Sequence, residues 1–251
     1  MTVESGTASF LLALPCYNEG DRLARFLPGL CQAIEKSGLR VRILPVDDGS
    51  DSSHREKYQN LMELHGERFP FLMPMLHLDS NRGKGQAVYR GWADAEKEEF
   101  LAFADADGAV GPNEVVRVLR RIAHDPKASA KLFAGSRIED ADTRVERHFL
   151  RQLTGSLFRI LVKFLFGLPI EDTQCGFKVL PRSFFQNYKS VLVESGFAFD
   201  LELLYRAREA GLEVVPVAVN WKEVKGGHMT ADKSIELIFN TLRLRARIAH
   251  R

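Results

Sequence analysis

Short apolar runs alternate with stretches of helical period through the first half of the chain, and this alternation is the strongest constraint on its fold. Ser9 to Leu14, Val41 to Val46, Phe71 to Leu78, Phe100 to Ala104 and Lys131 to Gly135 read as buried strands. Between them Asp21 to Lys36, Ser52 to His65, Gly83 to Ala95 and Asn113 to Ala123 carry apolar residues at helical spacing. A β-α-β-α order of this kind predicts a mostly parallel α/β sheet covered by helices on both faces. Ligands of such sheets bind beyond the carboxyl ends of the strands.

The polar residues of greatest interest fall at those ends. The first strand runs into Pro15-Cys16-Tyr17-Asn18-Glu19, the second into Asp47-Asp48-Gly49-Ser50, the third into Asn81-Arg82-Gly83-Lys84-Gly85 and the fourth into Asp105-Ala106-Asp107. Taken singly, each has a plain structural explanation. Asp47 to Ser50 suits a turn and a helix cap. Gly83-Lys84-Gly85 suits a tight turn before a helix and lacks the full phosphate-loop spacing. Asp105 and Asp107 suit a solvated loop capping the next helix. Two carboxylates one residue apart at the end of a buried strand also repel each other and lose hydration, so they call for a cation or hydrogen-bond donors. A hard divalent ion such as Mg²⁺ or Mn²⁺, bound to phosphates, supplies that charge. Four such loops at one sheet edge predict a nucleotide-sized crevice.

The second half differs. Arg144 to Gly167 reads as one long helix, rich in Phe and Leu, with Arg147, Arg151, Arg159 and Lys163 interspersed. Asp172-Thr173-Gln174-Cys175-Gly176-Phe177 follows, then a strand at Lys178 to Leu180, a helix over Phe197 to Ala210 carrying Asp200 and Glu202, a late strand over Leu212 to Trp221, and a basic helix over Ile235 to Arg251.

Composition adds exclusions. A net charge of +2 in 251 residues gives no global reason to expect nucleic acid as a partner. Three scattered cysteines (Cys16, Cys31, Cys175) have no metal spacing and fit a reducing compartment. The residues from Met1 to Ser9 lack the layout of a signal peptide. No run reaches the roughly 18 apolar residues of a spanning helix.

The ordered set Pro15 to Glu19, Val46 to Ser50, Asn81 to Gly85, Asp105 to Gly108, Gly135-Ser136-Arg137 and Asp172 to Phe177 resembles the family 2 glycosyltransferases of GT-A fold. It is most similar to their dolichyl-phosphate (polyprenyl-phosphate) glucosyl- and mannosyltransferase branch, over about Phe10 to Glu223. The Asp-Ala-Asp-Gly and Asp-Thr-Gln-Cys-Gly-Phe forms point toward the glucosyl side. The resemblance implies one Rossmann-like GT-A domain over residues 1–251, with a nucleotide-binding half over about 9–135, an acceptor half over about 136–232 and a C-terminal basic helix over about 233–251. It implies metal-dependent, inverting transfer of a hexose from a nucleotide sugar, UDP-glucose before GDP-mannose, to a polyprenyl or dolichyl phosphate. Pro15, Tyr17, Glu19 and Asp48, with Asp47 nearby, would line the nucleoside pocket, and Lys84 would reach the diphosphate. Asp105 would hold the ribose side and share in the metal site. Asp107 would hold the Mg²⁺ or Mn²⁺. Arg137, with Arg147 or Arg151, would face the acceptor phosphate, beside Asp172 and Gln174.

Three departures from the branch stand out. Ala109 occupies the place where the mannosyl branch often has a metal-binding glutamine, so the metal would take more water, which Mg²⁺ tolerates, or another ligand, for which Gln174 and His228 are candidates. Gly226-Gly227-His228 stands where Gly-Ser-Lys is common. Many relatives continue into membrane-spanning helices, whereas this sequence reads to Arg251. The apolar, basic stretch over 149–166 and the C-terminal helix fit an interfacial helix pair, or helices packed on the sheet with a basic outer edge. The location expected is therefore cytoplasmic, peripheral on the cytoplasmic face of a membrane. Rival readings are a family 2 glycosyltransferase with a soluble or glycan acceptor, a nucleotidyltransferase of similar fold, and a nucleotide-sugar-binding module without turnover.

Overall fold

A computed structural model of the chain describes residues 8–137, 145–146, 149–168, 171–224 and 231–249. Its elements run β1 (Ser9–Cys16), α1 (Gly20–Ser37), β2 (Arg40–Asp47), α2 (Ser52–Gly66), β3 (Leu76–His77), α3 (Lys84–Trp92), β4 (Phe100–Ala104), α4 (Pro112–Ala123), β5 (Lys131–Ser136), β6 (Val145–Glu146), α5 (Phe149–Phe166), β7 (Phe177–Pro181), α6 (Arg182–Tyr188), α7 (Phe199–Glu209), β8 (Glu213–Ala218), β9 (Trp221–Lys222) and α8 (Ala231–Ala249).

Seven strands form one sheet in the order β3-β2-β1-β4-β7-β5-β8. All neighbours are parallel except β7, which runs antiparallel between β4 and β5. Side chains alternate across β1: Phe10, Leu12 and Leu14 join the core beneath α1, α2 and α4, while Leu11 and Ala13 join the core beneath α3 and α7. Both faces of the central strands are therefore buried, which is why they read as continuous apolar runs. Cys16 is level with Asp47, and Phe10 with Phe100, so the loops after β1, β2 and β4 emerge side by side.

The fold departs from the sequence reading in three places. The run over Phe71 to Leu78 is not one strand. Phe71 and Met73 bond to both sides of Ile43, and regular pairing resumes only at Leu76. Pro74 lies between and has no N–H to donate. The helix expected from Arg144 begins at Phe149, because Val145–Glu146 pairs in parallel with Trp221–Lys222. The late strand is likewise split into β8 and β9.

Candidate active site

The crevice is built at the carboxyl ends of β1, β2 and β4 and closed by the loop before β7. Asp47 is fully buried and serves as its floor. One carboxylate oxygen accepts from Ser50 N at 2.8 Å, and the other meets Arg55 Nε at 2.9 Å and His77 Nδ1 at 3.0 Å. Burial pushes its carboxyl up, but the bonds from Ser50 and His77 and the Arg55 charge outweigh that and hold it below the usual range. Asp48 accepts backbone N–H bonds from Arg82 and Gly83, both at 2.8 Å. Of the two aspartates named for the nucleoside pocket, Asp48 thus braces the loop that presents Lys84, while Asp47 ties the end of β2 to α2 and β3. The cap expected of this segment comes instead from Asp51, which accepts from His54 N at the start of α2.

Pro15 and Tyr17 lie where β1 ends, and Asn18 takes a left-handed conformation (φ 53°). Its backbone N–H donates to Ser50 Oγ at 2.9 Å, and its side-chain oxygen accepts from Asp51 N at 3.0 Å. These bonds fasten the first loop to the second. Glu19 donates its N–H to Tyr58 Oη at 2.8 Å, and its carboxylate pairs with Arg22.

Lys84 stands at the start of α3. Gly83 precedes it at φ 96°, and a side chain at Gly83 would lie 2.5 Å from the Ser195 carbonyl. That carbonyl accepts the Gly85 N–H at 2.7 Å, so the segment before α7 backs the lysine turn. Lys84 Nζ lies 2.5 Å from Asp105 Oδ1 and faces the rings of Phe103 and Phe199. Burial disfavours its charge, but Asp105, Asp200 and Asp107 outweigh burial and keep the ammonium protonated. Asp107 is raised to about 6 by burial and by the Asp105 charge, with Glu19 adding to both; its Oδ1 accepts from Ala109 N at 2.9 Å.

The Asp172–Gly176 loop closes the crevice. Gly176 O accepts the Asp105 N–H at 2.9 Å, and a methyl group at Gly176 would fall 1.8 Å from Asp105 Oδ2. Gly176→Ala is expected to displace Asp105 and cut turnover at least about 100-fold, with a stability loss of about 1–3 kcal/mol. A turnover assay paired with urea melting checks this. Asp172 holds Arg137 through Arg137 N at 2.7 Å, Nε at 2.8 Å and Nη2 at 2.8 Å, and the guanidinium lies 5.5 Å from the Trp221 ring centroid. Gln174 Nε2 is buried with no hydrogen-bond partner among the described residues.

Sequence reasoning missed Lys178, which it read as a strand residue. Its ammonium is fully buried and bonds Thr173 O and Cys175 O at 3.0 Å each, and Asp200 Oδ1 at 2.5 Å. A charged residue inside an apolar strand was the available signal. Arg147 and His228 lie outside the described residues; Arg151 belongs to α5, and its side chain lies outside them too.

The donor chemistry fits a hard divalent ion. Asp105 and Asp107 offer carboxylate oxygens, and their mutual repulsion raises Asp107; the unpartnered Gln174 Nε2 is a hydrogen-bond donor and suits a phosphate oxygen rather than the cation. Among the described residues no three His, Cys, Asp or Glu side chains already form a complete cage. Such a site resembles those in which Mg²⁺ keeps several waters and shares phosphate oxygens.

Comparison with known proteins bears on the family and the fold. The family model "Glycosyl transferase family 2" matches residues 12–189. The chain is 32% identical over 242 residues to dolichyl-phosphate beta-glucosyltransferase of Dictyostelium discoideum, covering 93% of this chain and 73% of that protein. It is 28% identical over 220 residues to polyprenol monophosphomannose synthase of Mycolicibacterium smegmatis, covering 86% and 78%. Glucosyl-3-phosphoglycerate synthase from Mycobacterium tuberculosis, solved with Mn²⁺, UDP and glucosyl-3-phosphoglycerate, shares the fold at a TM-score of 0.69 and 15% identity, covering 95% of this chain and 80% of that one. The fold is GT-A, and the chain belongs to glycosyl transferase family 2. It is a glycosyltransferase.

Proposed function

We propose that this enzyme moves a hexose from a nucleotide sugar, UDP-glucose first and GDP-mannose second, to a polyprenyl or dolichyl phosphate with inversion at the anomeric carbon. The observation that carries the reading is one crevice with a cation-and-carboxylate cluster (Lys84, Asp105, Asp107) on one side and Arg137, held by Asp172, on the other. The names of the relatives support the acceptor class, and the higher identity to the glucosyl relative supports glucose.

The chemistry follows from charge. An acceptor phosphate oxygen bonds C1 as the bond from C1 to the diphosphate oxygen breaks, and that electron pair stays on the departing nucleoside diphosphate. Asp107, with Asp105, would hold Mg²⁺ or Mn²⁺, which when bound neutralises charge on the diphosphate oxygens. Lys84 adds a largely buried positive charge where the leaving group gains its negative one. The nucleophile is already anionic, so no general base is needed. Arg137 offsets its repulsion from the donor, and the hold of Asp172 fixes the guanidinium plane in advance. The Cys175 thiol, pushed up to about 12 by burial, stays protonated and takes no part as a nucleophile.

An isoprenoid acceptor implies a membrane surface. No helix among the described residues is long and apolar enough to cross one. Helices α5 and α8 pack together and expose Ile160 and Phe164, and Ile238, Phe239 and Leu242, with Lys163 and Arg243 exposed among them. This pattern supports interfacial docking, to which each basic residue contributes about 1 kcal/mol on anionic lipid. Phe164→Ser with Phe239→Ser is expected to weaken co-sedimentation with anionic vesicles about tenfold or more. Unchanged binding would remove this face from the membrane reading.

The test of function is an acceptor panel with labelled UDP-glucose and GDP-mannose in Mg²⁺ or Mn²⁺. An organic-soluble sugar phosphate lipid, formed with release of nucleoside diphosphate, is expected. Transfer to glycans without any lipid product would select the soluble-acceptor rival, and release of pyrophosphate would select a nucleotidyltransferase.

A further inference from the structure

Two lysine–aspartate pairs share the space behind the crevice. Lys84 pairs with Asp105, and Lys178 with Asp200, each at 2.5 Å. Both ammonium groups lie against the ring of Phe103, 5.2 Å and 5.6 Å from its centroid. Lys84 also lies 5.7 Å from the ring centroid of Phe199, the residue before Asp200. The charge of Asp200 acts on both lysines. Asp200 is fully buried at the start of α7, so an uncompensated charge there is strongly unfavourable. Were Lys178 neutral, the cation left within reach of Asp200 would be Lys84.

We propose that Lys178 is a positioning residue: by neutralising Asp200 it keeps Lys84 committed to Asp105 and to the leaving diphosphate. The inference deepens the functional reading above, and rests on it for the diphosphate alone. Lys178 has spent all three of its ammonium protons, on Thr173 O, Cys175 O and Asp200, so it has none to offer a substrate. Its other two bonds pin the loop whose Gly176 receives the Asp105 N–H and whose Asp172 holds Arg137. One internal charge therefore serves both sides of the crevice without touching either ligand.

Three variants test this: Lys178→Met, Asp200→Asn and the two combined. In a crystal structure of Lys178→Met, Lys84 Nζ is expected to have moved from Asp105 to Asp200. By calorimetry, affinity for UDP with Mn²⁺ should fall about 30-fold in that variant. Adding Asp200→Asn should bring affinity back to within about threefold of the parent protein, because a neutral amide no longer competes for Lys84. Loss of the loop tether alone would give a double variant no better than the single one, and relief of the stranded Asp200 charge alone would leave Lys84 on Asp105 in Lys178→Met. The double variant buries no uncompensated charge, so it keeps the test available should Lys178→Met fail to fold. Lys84 still on Asp105 in Lys178→Met, or a double variant as weak as the single, overturns the proposal and leaves Lys178 only as a tether of the 172–176 loop. The position of Lys84 is read without ligand. Failure of the parent protein to bind UDP would therefore sink the functional reading and leave this result standing.

Discussion

Asp107→Asn is expected to lower turnover by about three orders of magnitude or more, the scale of removing a group that organises charge stabilisation at a leaving group, and yet to make the metal-free protein more heat-stable at neutral pH. Both effects have one origin. Burial and the Asp105 charge raise the Asp107 carboxyl to about 6, above the 3.8 of an unperturbed aspartate. Between those values the folded chain binds a proton that the unfolded chain has released. Stability therefore falls as pH rises through that window, and the deficit persists above it. Asparagine carries no charge and escapes it. Thermal melting in EDTA should show the variant about 2–5 °C above the parent near pH 7, with the two converging near pH 3.5. In the parent, the proton and the cation compete for Asp107, so metal-dependent UDP binding should weaken as pH falls through about 6. A variant that melts at the same temperature near pH 7 and still turns over would show that Asp107 is not held under charge repulsion.

Arg137→Ala is expected to have the second large effect, on stability as well as on acceptor use. It strands the buried carboxylate of Asp172, which now accepts two parallel bonds from one edge of the guanidinium. Losing one partner of such a pair costs about 3–5 kcal/mol. Burial pushes the Asp172 carboxyl up, but Arg137 outweighs burial and holds it below the usual range. The stability this pair contributes is thus present above the unfolded aspartate range and lost as pH falls through the depressed folded value. In the variant the stranded carboxylate takes up a proton more readily, so the gap between variant and parent should narrow on acidification. Urea unfolding near pH 7 and near pH 4 measures this. Acceptor KM or kcat should worsen by at least about 100-fold while UDP affinity changes little. Arg137→Lys should rescue only part of both effects, because an ammonium cannot replace the paired, parallel contact of a guanidinium edge.

The crevice was legible because its parts are local. The apolar runs of β1, β2 and β4 end where their polar loops begin, and parallel strands in register bring those ends together without further information. What could not be read is set by contacts far apart in sequence. β7 looks like any short strand, and nothing within Lys178 to Leu180 says that it inserts antiparallel between β4 and β5. Asp47 and Asp48 look alike on the page, yet one binds Arg55 and His77 while the other binds the backbone of Arg82 and Gly83. Only Asp48 holds the lysine loop; Asp47 ties β2 to α2 and β3. Glu202 is a similar case: noted only as a helix residue, it accepts the N–H groups of Val193 and Glu194 and so supports the turn whose Ser195 carbonyl backs Lys84.

The central claim is that Asp107 and its neighbouring loops hold a cation against a nucleoside diphosphate at the strand ends. A crystal grown with Mn²⁺ and UDP tests it most directly through the anomalous signal of manganese. The account predicts one strong peak bonded to the Asp107 carboxylate, with the diphosphate between it and Lys84. A manganese peak away from Asp107, or UDP seated elsewhere on the molecule, would contradict it.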